Sequence, residues 1–358
     1  MIVDQCLPDF AMYDAIGAHT LQVRRVLQEA GYESEIWADR IDERLGAQAR
    51  PYTDYPPDRG GALIYQMSTD WDMVSWIERN ASAGVTIASN YHNITPAEYF
   101  RRWEPQVAQK LDLARDQLEQ LAPITDIGLA VSNYNQLELK NAGYLRTVVT
   151  PLLVDLGWDE RADSRLVDRL RQSGGTRWLF VGRVAPNKCQ HDVVAALAIY
   201  RRLIDPKARL TLVGSPSSYR YLRAVQRLAA ELGVHQSVEF VSNLGPRQLA
   251  SYYAAADVFT CLSEHEGYCV PLLESMALGL PVVAYNAGAI SETLSDAGVI
   301  LESKDPLEVA IRTHALLNDA DLRARNIGAG KARAKELSLE ATAPRFLEAI
   351  TSWLGRGC

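Results

Sequence analysis

The sequence lacks several features that mark particular classes of protein. Its five cysteines are an odd number, scattered along 358 residues without a C-x-x-C pair, which argues against a disulfide framework or a zinc site. No apolar run reaches the roughly 18 residues that span a bilayer. The first ten residues, MIVDQCLPDF, lack the basic start and apolar core of a secretion signal. We therefore expect reduced thiols, no metal and a cytoplasmic protein, for which peripheral contact with the inner membrane face stays open.

Charge and nucleotide-binding motifs exclude further classes. The formal charge is −7, from 37 basic and 44 acidic residues without a lysine- or arginine-rich block, so we expect no nucleic-acid partner. There is no G-x-x-x-x-G-K-[ST] motif, and no G-x-G-x-x-G follows the first apolar run. The sequence thus lacks the fingerprints of a P-loop NTPase and of a Rossmann dehydrogenase. Its 47% of hydrophobic residues is ample for two globular cores.

The sequence does have a regular alternation of short apolar runs with longer helical patterns. This alternation is typical of parallel βαβ units, and the length suits two domains. We predict two Rossmann-like, doubly wound α/β domains facing each other across a cleft, at 1–160 and 161–340, followed by a helix at 341–358. The first domain should also contain a long helix at Ala97–Leu121. Strands are predicted at Ile2-Val3, Ser34–Ala38, Leu63–Met67, Val85–Ser89, Ile127–Val131, Trp178–Val181, Leu210–Val213, Val238–Val241, Val258–Leu262, Val282–Tyr285 and Val299–Leu301.

The most informative segment follows the predicted strand Val258–Leu262. It reads SEHEGYCVPLLESMALGLPVVA, with Pro271 suited to the first turn of a helix. The free N–H groups at such a helix start can bind a phosphate or sugar hydroxyls. Glu266 and Glu274 can each accept two hydrogen bonds from a vicinal diol, and so can hold two sugar rings of one ligand. As an alternative, Glu274 balances the helix dipole.

A second candidate segment, Phe180–Lys188, follows the first predicted strand of the second domain and precedes a helix. Arg183 and Lys188 lie in this loop. Two fixed cations can stabilise the charge that develops on a departing diphosphate without a metal ion. Taken alone, an arginine and a lysine in a loop also fit a solvated surface.

Together these segments resemble the retaining glycosyltransferases of family four, which have the GT-B fold. The run EGYCVPLLE, from Glu266 to Glu274, matches the family signature of two glutamates separated by seven residues. The resemblance implies that Glu266 contacts the donor sugar, that Glu274 binds the ribose, and that Arg183 and Lys188 stabilise the leaving nucleoside diphosphate. It also implies donor contacts from Gly17, Gly182, Gly214, Leu244, Gly267, Tyr268, Cys269 and Val270.

In the first domain the resemblance depends on loops around predicted strands. The loop Asn90–Thr95 carries His92, which matches a family histidine beside the donor sugar, although a lone histidine is more often packed or at the surface. We predict His92 as catalytic together with Glu266, Arg183 and Lys188. Acceptor contacts are predicted from His19, Asn93 and Asn133. Ser132–Asn135 equally fits a helix cap, and Gly17 fits a helix-entry turn. We expect the C-terminal helix to return to the first domain.

The resemblance predicts a metal-independent enzyme that moves a mannose- or glucose-like hexose with retention of its anomeric configuration. The donor is a nucleotide-diphosphate sugar such as GDP-mannose or a UDP-hexose, with no other cofactor. The acceptor is a hydroxyl of a saccharide or glycoconjugate, lipid-linked carriers included. The alternatives are a nucleotide-sugar 2-epimerase of the same fold, a glycosyltransferase acting on a natural product, and a non-catalytic sugar-binding protein.

Overall fold

The computed structural model describes residues 1–12, 14–157 and 162–355. The predicted domain boundary at 160/161 and the last three residues of the predicted C-terminal helix lie outside these residues. The chain divides into two compact units. The first unit comprises Met1–Glu98, Gln106–Asp155 and the chain from Leu337 onward. The second unit comprises Tyr99–Pro105 and Leu156–Glu336.

The first unit is built on a sheet of parallel strands, whose described members pair in the order β3-β2-β1-β4-β5-β6-β7. The register places Ile64 of β4 opposite both Gln5 of β1 and Ala88 of β5. Strands of such a sheet are buried on both faces, and this burial includes polar side chains such as Gln5 and Asn90. The strands are β1 (Val3–Phe10), β2 (Ile36–Ile41), β3 (Arg50–Pro51), β4 (Ala62–Met67), β5 (Thr86–Tyr91), β6 (Ile127–Ala130) and β7 (Thr147–Val149). The helices of this half of the chain are α1 (Ala15–Glu29), α2 (Val74–Ser82), α3 (Glu98–Arg101), α4 (Pro105–Leu121) and α5 (Asn133–Asn141).

The second unit repeats this plan with described strands in the order β10-β9-β8-β11-β12-β13. The strands are β8 (Arg177–Val181), β9 (Arg209–Val213), β10 (Val238–Val241), β11 (Val258–Cys261), β12 (Val282–Tyr285) and β13 (Val299–Leu301). The helices are α6 (Ser164–Arg171), α7 (Gln190–Leu203), α8 (Tyr219–Glu231), α9 (Pro246–Ala255), α10 (Val270–Ala277), α11 (Ile290–Leu294), α12 (Pro306–Asn318) and α13 (Ala320–Glu336).

In both sheets the strand order reverses beside the first strand, which defines a doubly wound fold. The reversal lies between β1 and β4 in the first unit and between β8 and β11 in the second. The prediction of doubly wound parallel sheets is confirmed. Ligands of such sheets bind beyond the carboxyl ends of the strands at this point, so the loops after β8 and β11 hold the candidate site of the second unit.

The last helix, α14 (Leu339–Leu354), belongs to the first unit. Its buried residues Phe346, Ala349, Ile350 and Trp353 recur at the spacing of one helix face. They join a hydrophobic cluster that includes Val3 of β1. Burial of this apolar face explains why the end of the chain returns to the unit that contains its beginning.

The predicted helix at Ala97–Leu121 is wrong in one respect, because the structure breaks it between α3 and α4. Pro105 has no N–H to continue the helix, and it disfavours a helical conformation at the preceding residue. The broken segment packs in the second unit, where the Trp103 ring lies 5.2 Å from that of Tyr221. Glu104 accepts a 2.7 Å hydrogen bond from the Ser218 hydroxyl. Seven residues from the first half of the chain thus belong to the second unit.

Candidate active site

The two sequence segments singled out in the second unit meet at one ion pair. Lys188 Nζ lies 2.6 Å from Glu266 Oε2, although the residues are 78 positions apart. Lys188 ends a single helical turn after β8, and Glu266 lies in the loop after β11. Since β8 and β11 are neighbouring parallel strands, their carboxyl ends share one edge of the sheet. The topology therefore brings the predicted cation and the predicted sugar-binding acid together.

This ion pair is largely removed from solvent, with side-chain exposures of 19% for Lys188 and 7% for Glu266. Burial disfavours the charged ammonium, but the attraction of the Glu266 carboxylate outweighs it and raises the pKa of Lys188. The lysine is therefore charged at physiological pH. A buried pair of this kind contributes little net stability, but removal of one partner leaves an uncompensated charge.

Main-chain contacts hold the two loops against each other. The Asn187 carbonyl accepts a 2.9 Å hydrogen bond from the Glu264 N–H. The Asn187 side-chain amide donates to the His265 carbonyl at 3.3 Å. Asn187 is only 4% exposed. Its two hydrogen bonds to the neighbouring loop therefore fix the separation between Lys188 and Glu266.

Gly288, in the loop after β12, supports Glu266 from a third strand, and sequence reasoning missed it. Its φ is +55°, and a Cβ at this position would lie 2.4 Å from the Glu266 carbonyl oxygen. That oxygen accepts a 2.9 Å hydrogen bond from the Ala289 N–H. Only glycine permits both this backbone conformation and this approach. The available signal was the glycine that follows an apolar strand in the sequence Asn286–Ala289.

The predicted glycines Gly182 and Gly214 pack against each other where β8 and β9 end. A Cβ on Gly214, whose φ is +151°, would lie 2.0 Å from the Gly182 carbonyl oxygen. The Gly182 N–H donates to the Val213 carbonyl at 2.8 Å. This close packing explains why glycine is needed at position 214, next to Gly182. The predicted contacts of both glycines with a nucleotide remain predictions.

Glu274 is buried in α10, where it is 8% exposed. The hydroxyl of Tyr253, a residue of α9, donates a 2.5 Å hydrogen bond to Glu274 Oε2. Burial raises the pKa of Glu274 to about 7, although the bond from Tyr253 acts in the opposite direction. The carboxyl group therefore titrates near neutral pH, and sequence reasoning missed its tyrosine partner.

The remaining residues predicted to bind the donor lie at the same sheet edge or next to it. Arg183 is exposed in the loop that carries Lys188, and Leu244 is half-buried after β10. Gly267, Cys269 and Val270 lead from Glu266 into α10. Tyr268 is 6% exposed, and its carbonyl accepts a 2.6 Å hydrogen bond from Thr293. The Tyr268 side chain is therefore buried in the second unit, and its predicted contact with the donor remains a prediction.

In the first unit, His92 follows β5 and belongs to a chain of polar side chains. Its Nε2 lies 2.6 Å from Gln66 Oε1, which also accepts a 3.0 Å hydrogen bond from the Asn90 amide. The His92 and His19 rings lie edge to face, with centroids 5.2 Å apart. Burial and the neighbouring His19 lower the pKa of His92 well below its ordinary value. His92 is thus a neutral imidazole that donates from Nε2 to Gln66.

His19, which was predicted to contact the acceptor, is buried inside the first unit. Its Nδ1 accepts a 2.9 Å hydrogen bond from the Leu153 N–H, and its Nε2 lies 3.0 Å from the Asn90 amide. The side chain is 2% exposed, and burial lowers its pKa to about 3. The bond to Leu153 and the burial of the ring favour a positioning role for His19, and its predicted contact with an acceptor remains a prediction.

The other predicted residues of the first unit have structural explanations as well. Gly17 lies in α1 after the capping residue Asp14, and a Cβ there would approach the Ala11 carbonyl oxygen to 2.9 Å. Asn93 donates to the Asn135 side chain at 3.2 Å. Asn133 is exposed in the first turn of α5, which Ser132 caps. Their donor and acceptor contacts remain predictions.

Among the described residues, two groups have side chains spaced as metal ligands. They are Cys261, Glu266 and Cys269, and separately Cys189, His191 and Asp192. In each group a lysine ammonium already neutralises the carboxylate, Lys188 on Glu266 and Lys304 on Asp192, both at 2.6 Å. Metal independence remains a prediction that this arrangement favours.

Comparison with solved structures places this fold among the GT-B glycosyltransferases. HepE of Anabaena, solved with UDP-glucose, aligns over 98% of this chain and all of its own with a TM-score of 0.76 at 17% identity. WaaG, a glycosyltransferase of lipopolysaccharide biosynthesis, aligns over 98% of this chain and 99% of its own with a TM-score of 0.70 at 16% identity. The predicted GT-B fold is confirmed.

Residues 168–333 match the family described as Glycosyl transferases group 1, so the second unit carries the domain of that family. The predicted family resemblance is confirmed there. A D-inositol 3-phosphate glycosyltransferase of Thermomonospora curvata is 36% identical over 48% of this chain and 42% of its own. A GDP-mannose-dependent phosphatidylinositol monomannoside mannosyltransferase of Mycobacterium tuberculosis is 30% identical over 61% of this chain and 59% of its own. The chain thus spans about half the length of these curated relatives.

Proposed function

We propose that the protein is a retaining glycosyltransferase that moves a hexose from a nucleotide-diphosphate sugar to a saccharide or glycoconjugate hydroxyl. The observation that carries this proposal is the 2.6 Å pair of Lys188 and Glu266. It places a fixed cation and the first glutamate of the sequence motif at one point of the sheet edge. The family domain over residues 168–333 supports the same activity.

The chemistry assigned to these residues follows from the charges of the donor. Departure of a nucleoside diphosphate leaves negative charge on the phosphates, which Lys188 and Arg183 stabilise together with the N–H groups at the start of α10. The phosphate takes the place of Glu266 as the partner of Lys188. The freed carboxylate then accepts hydrogen bonds from hydroxyls of the transferred sugar, while Glu274 accepts those of the ribose.

Retention of configuration belongs to the same proposal. Neither motif supplies a residue suited to be a covalent nucleophile at the anomeric carbon. We therefore favour attack of the acceptor hydroxyl on the face that the phosphate leaves, with the phosphate oxygen taking the hydroxyl proton. His92, as a neutral imidazole, is assigned to the sugar hydroxyls, because a neutral ring matches a neutral partner. No metal ion takes part in these steps.

The acceptor is proposed at the level of its chemical class. The relatives named above include enzymes of phosphatidylinositol mannoside and lipopolysaccharide synthesis, which supports a glycoconjugate. A lipid-linked acceptor would bring the protein to a membrane surface by peripheral contact, which flotation with acceptor-containing vesicles measures. None of the helices in the described part of the chain is both long enough and apolar enough to cross a membrane.

The test is transfer itself, measured with GDP-mannose and UDP-hexoses against a panel of saccharides and lipid-linked acceptors in the presence of a chelator. We expect one donor to be used, with a product whose proton coupling at the anomeric carbon shows retention. Inversion, or transfer that needs a divalent cation, would contradict the proposed chemistry. Conversion of UDP-N-acetylglucosamine without an acceptor would instead identify an epimerase.

A further inference from the structure

Two cysteines flank the loop that carries Glu266. Cys261 is the last residue of β11 and is 1% exposed, whereas Cys269 precedes α10 and is partly exposed. Their Sγ atoms and a Glu266 carboxylate oxygen all lie within 4.8 Å of one another. The two thiols are hydrogen-bonded to each other. The fold therefore places a vicinal dithiol beside the motif glutamate.

The electrostatic surroundings make Cys261 the more acidic thiol of this pair. The hydrogen bond from Cys269 lowers the pKa of Cys261, whereas donation of that bond, together with burial, raises the pKa of Cys269. The other described cysteines lie elsewhere, since Cys6 belongs to the core of the first unit and Cys189 contacts Lys304 at 3.5 Å. These two thiols supply matched controls.

We propose that Cys261 and Cys269 form a reversible disulfide that switches off the donor site, with hydrogen peroxide as the oxidant. In the first step the Cys261 thiolate attacks the peroxide, so an S–O bond forms and the O–O bond breaks. The departing hydroxide leaves as water with the proton that the Cys261 thiol had lost. The Cys269 sulfur then attacks that sulfur, the S–S bond forms, and the S–O bond breaks. The hydroxide released in this step leaves as a second water with the Cys269 proton. Two thiols are thereby oxidised and one molecule of hydrogen peroxide is reduced. A dithiol reductant reverses the reaction.

The disulfide changes the site because the bonded sulfur atoms must be drawn together. A disulfide is about 2.05 Å long, shorter than the present separation of hydrogen-bonded thiols. Cys269 has φ +67° and is the residue from which α10 starts. Its displacement moves Gly267 and the helix start relative to Glu266. Because a shift of about 1 Å in a reacting group can slow a reaction about 100-fold, we expect a loss of that order. This consequence depends on the proposed function, whereas disulfide formation does not.

The experiment treats the full chain with hydrogen peroxide, in a Cys358→Ser background that removes the thiol outside the described residues. A protease that cleaves after glutamate separates the two cysteines, because Glu264 and Glu266 lie between them. We expect a joined pair of peptides whose mass is lower by the two thiol hydrogens, and which dithiothreitol separates. Cys261→Ser should yield no joined pair, while Cys6→Ser and Cys189→Ser should yield it as the unchanged chain does.

Transfer is measured on the same samples. We expect peroxide to slow transfer about 100-fold in the Cys358→Ser chain, and dithiothreitol to restore it. Cys261→Ser should transfer normally before and after peroxide. Absence of the joined peptides, oxidation of Cys261 to a sulfinic acid instead, or full transfer by the disulfide form would each overturn the switch. If the disulfide forms in a reduced chain that never shows transfer, the proposed function fails while the dithiol assignment stands.

Discussion

The two units place their candidate groups at the same kind of sheet edge but hold them by different electrostatic means. In the second unit the groups are charged, with Lys188 paired to Glu266. In the first unit they are neutral, because burial lowers the pKa values of His19 and His92 and both rings bond to side-chain amides or to the backbone. In the proposed function the cation of the second unit stabilises the donor diphosphate, whereas the neutral His92 ring of the first unit suits uncharged hydroxyls.

The ion pair of the second unit also shows which interaction a bound substrate must replace, namely the contact between Lys188 and Glu266. A charge at this depth cannot be left without a partner, so Lys188 stays paired until an anion arrives. The neutral network of the first unit needs no such exchange, because its histidines are uncharged. The following predictions test this contrast, beginning with the largest expected effect.

Separate replacement of the two charges should have the largest effect. Lys188→Met and Glu266→Gln should each reduce transfer about 1,000-fold, and each should destabilise the second unit by about 3–5 kcal/mol because the other charge is left unpaired. The double variant should regain most of the free energy of unfolding but none of the transfer. Chemical denaturation and initial-rate assays measure the two effects.

Lys207→Met, at an exposed lysine of the same unit, is the control for loss of a positive charge. It should change neither the rate of transfer nor the free energy of unfolding. Single variants that keep near-normal transfer would show that the pair has only a structural role.

Glu274 should make the stability of the second unit depend on pH. Its pKa of about 7 in the folded protein lies above its ordinary value of 4.5, so the folded state binds more protons than the unfolded state between these values. The free energy of unfolding should therefore fall by about 3 kcal/mol as the pH rises from 4.5 to 7. Glu274→Gln should remove this decrease, and Glu231→Gln, at an exposed glutamate, should preserve it. Urea denaturation at both pH values measures the change in the free energy of unfolding. An increase in stability as the pH rises through this range would contradict the prediction.

Gly288→Ala tests whether the loop after β12 positions Glu266. The methyl group meets the Glu266 carbonyl, so we expect about 2–3 kcal/mol of destabilisation and about a 30-fold loss of transfer. Gly174→Ala is the matched control, because its φ is also positive at +63° but no heavy atom lies within 4 Å of the added carbon. It should cost about 1 kcal/mol and leave transfer unchanged. Equal effects of the two variants on transfer would refute the positioning role.

The smallest effect should come from the first unit. His92→Ala should slow transfer about tenfold, the value of one lost hydrogen bond to a substrate hydroxyl, and should leave nucleoside diphosphate binding unchanged. His235→Asn, at an exposed histidine, controls for loss of a ring. Loss of nucleotide binding in His92→Ala would break the proposed division of labour between the units.

Much of the fold was predictable because parallel sheets have a strong sequence signature. The strands from Trp178 onward were placed within a residue or so, since buried parallel strands are nearly continuous apolar runs. The short strands β3 and β7 were not predicted, because two or three residues carry no periodicity. The break at Pro105 was readable from proline chemistry. The packing of Trp103 on Tyr221 was not, because a contact across 118 positions leaves no local pattern.

The candidate site was predictable where chemistry is carried by a motif. Glu266 and Lys188 could be named because the two segments that carry them, each following a predicted strand, together resemble a known family motif. The partners of Glu274 and His92 could not be predicted, because Tyr253 reaches Glu274 from another helix and Gln66 reaches His92 from a neighbouring strand. The burial of His19 was not readable either, because sequence cannot separate a histidine that faces a ligand from one that bonds to a buried Leu153 N–H.

The central claim, that the second unit binds a nucleoside diphosphate through Lys188 and Glu266 without a metal, is tested most directly by thermal denaturation with GDP and UDP in a chelating buffer. A ligand that binds only the folded state raises the melting temperature. We predict a selective rise with one of the two nucleotides in the unchanged protein and none in the Lys188→Met/Glu266→Gln variant. An equal rise in both proteins, or no rise with either nucleotide, would contradict the account.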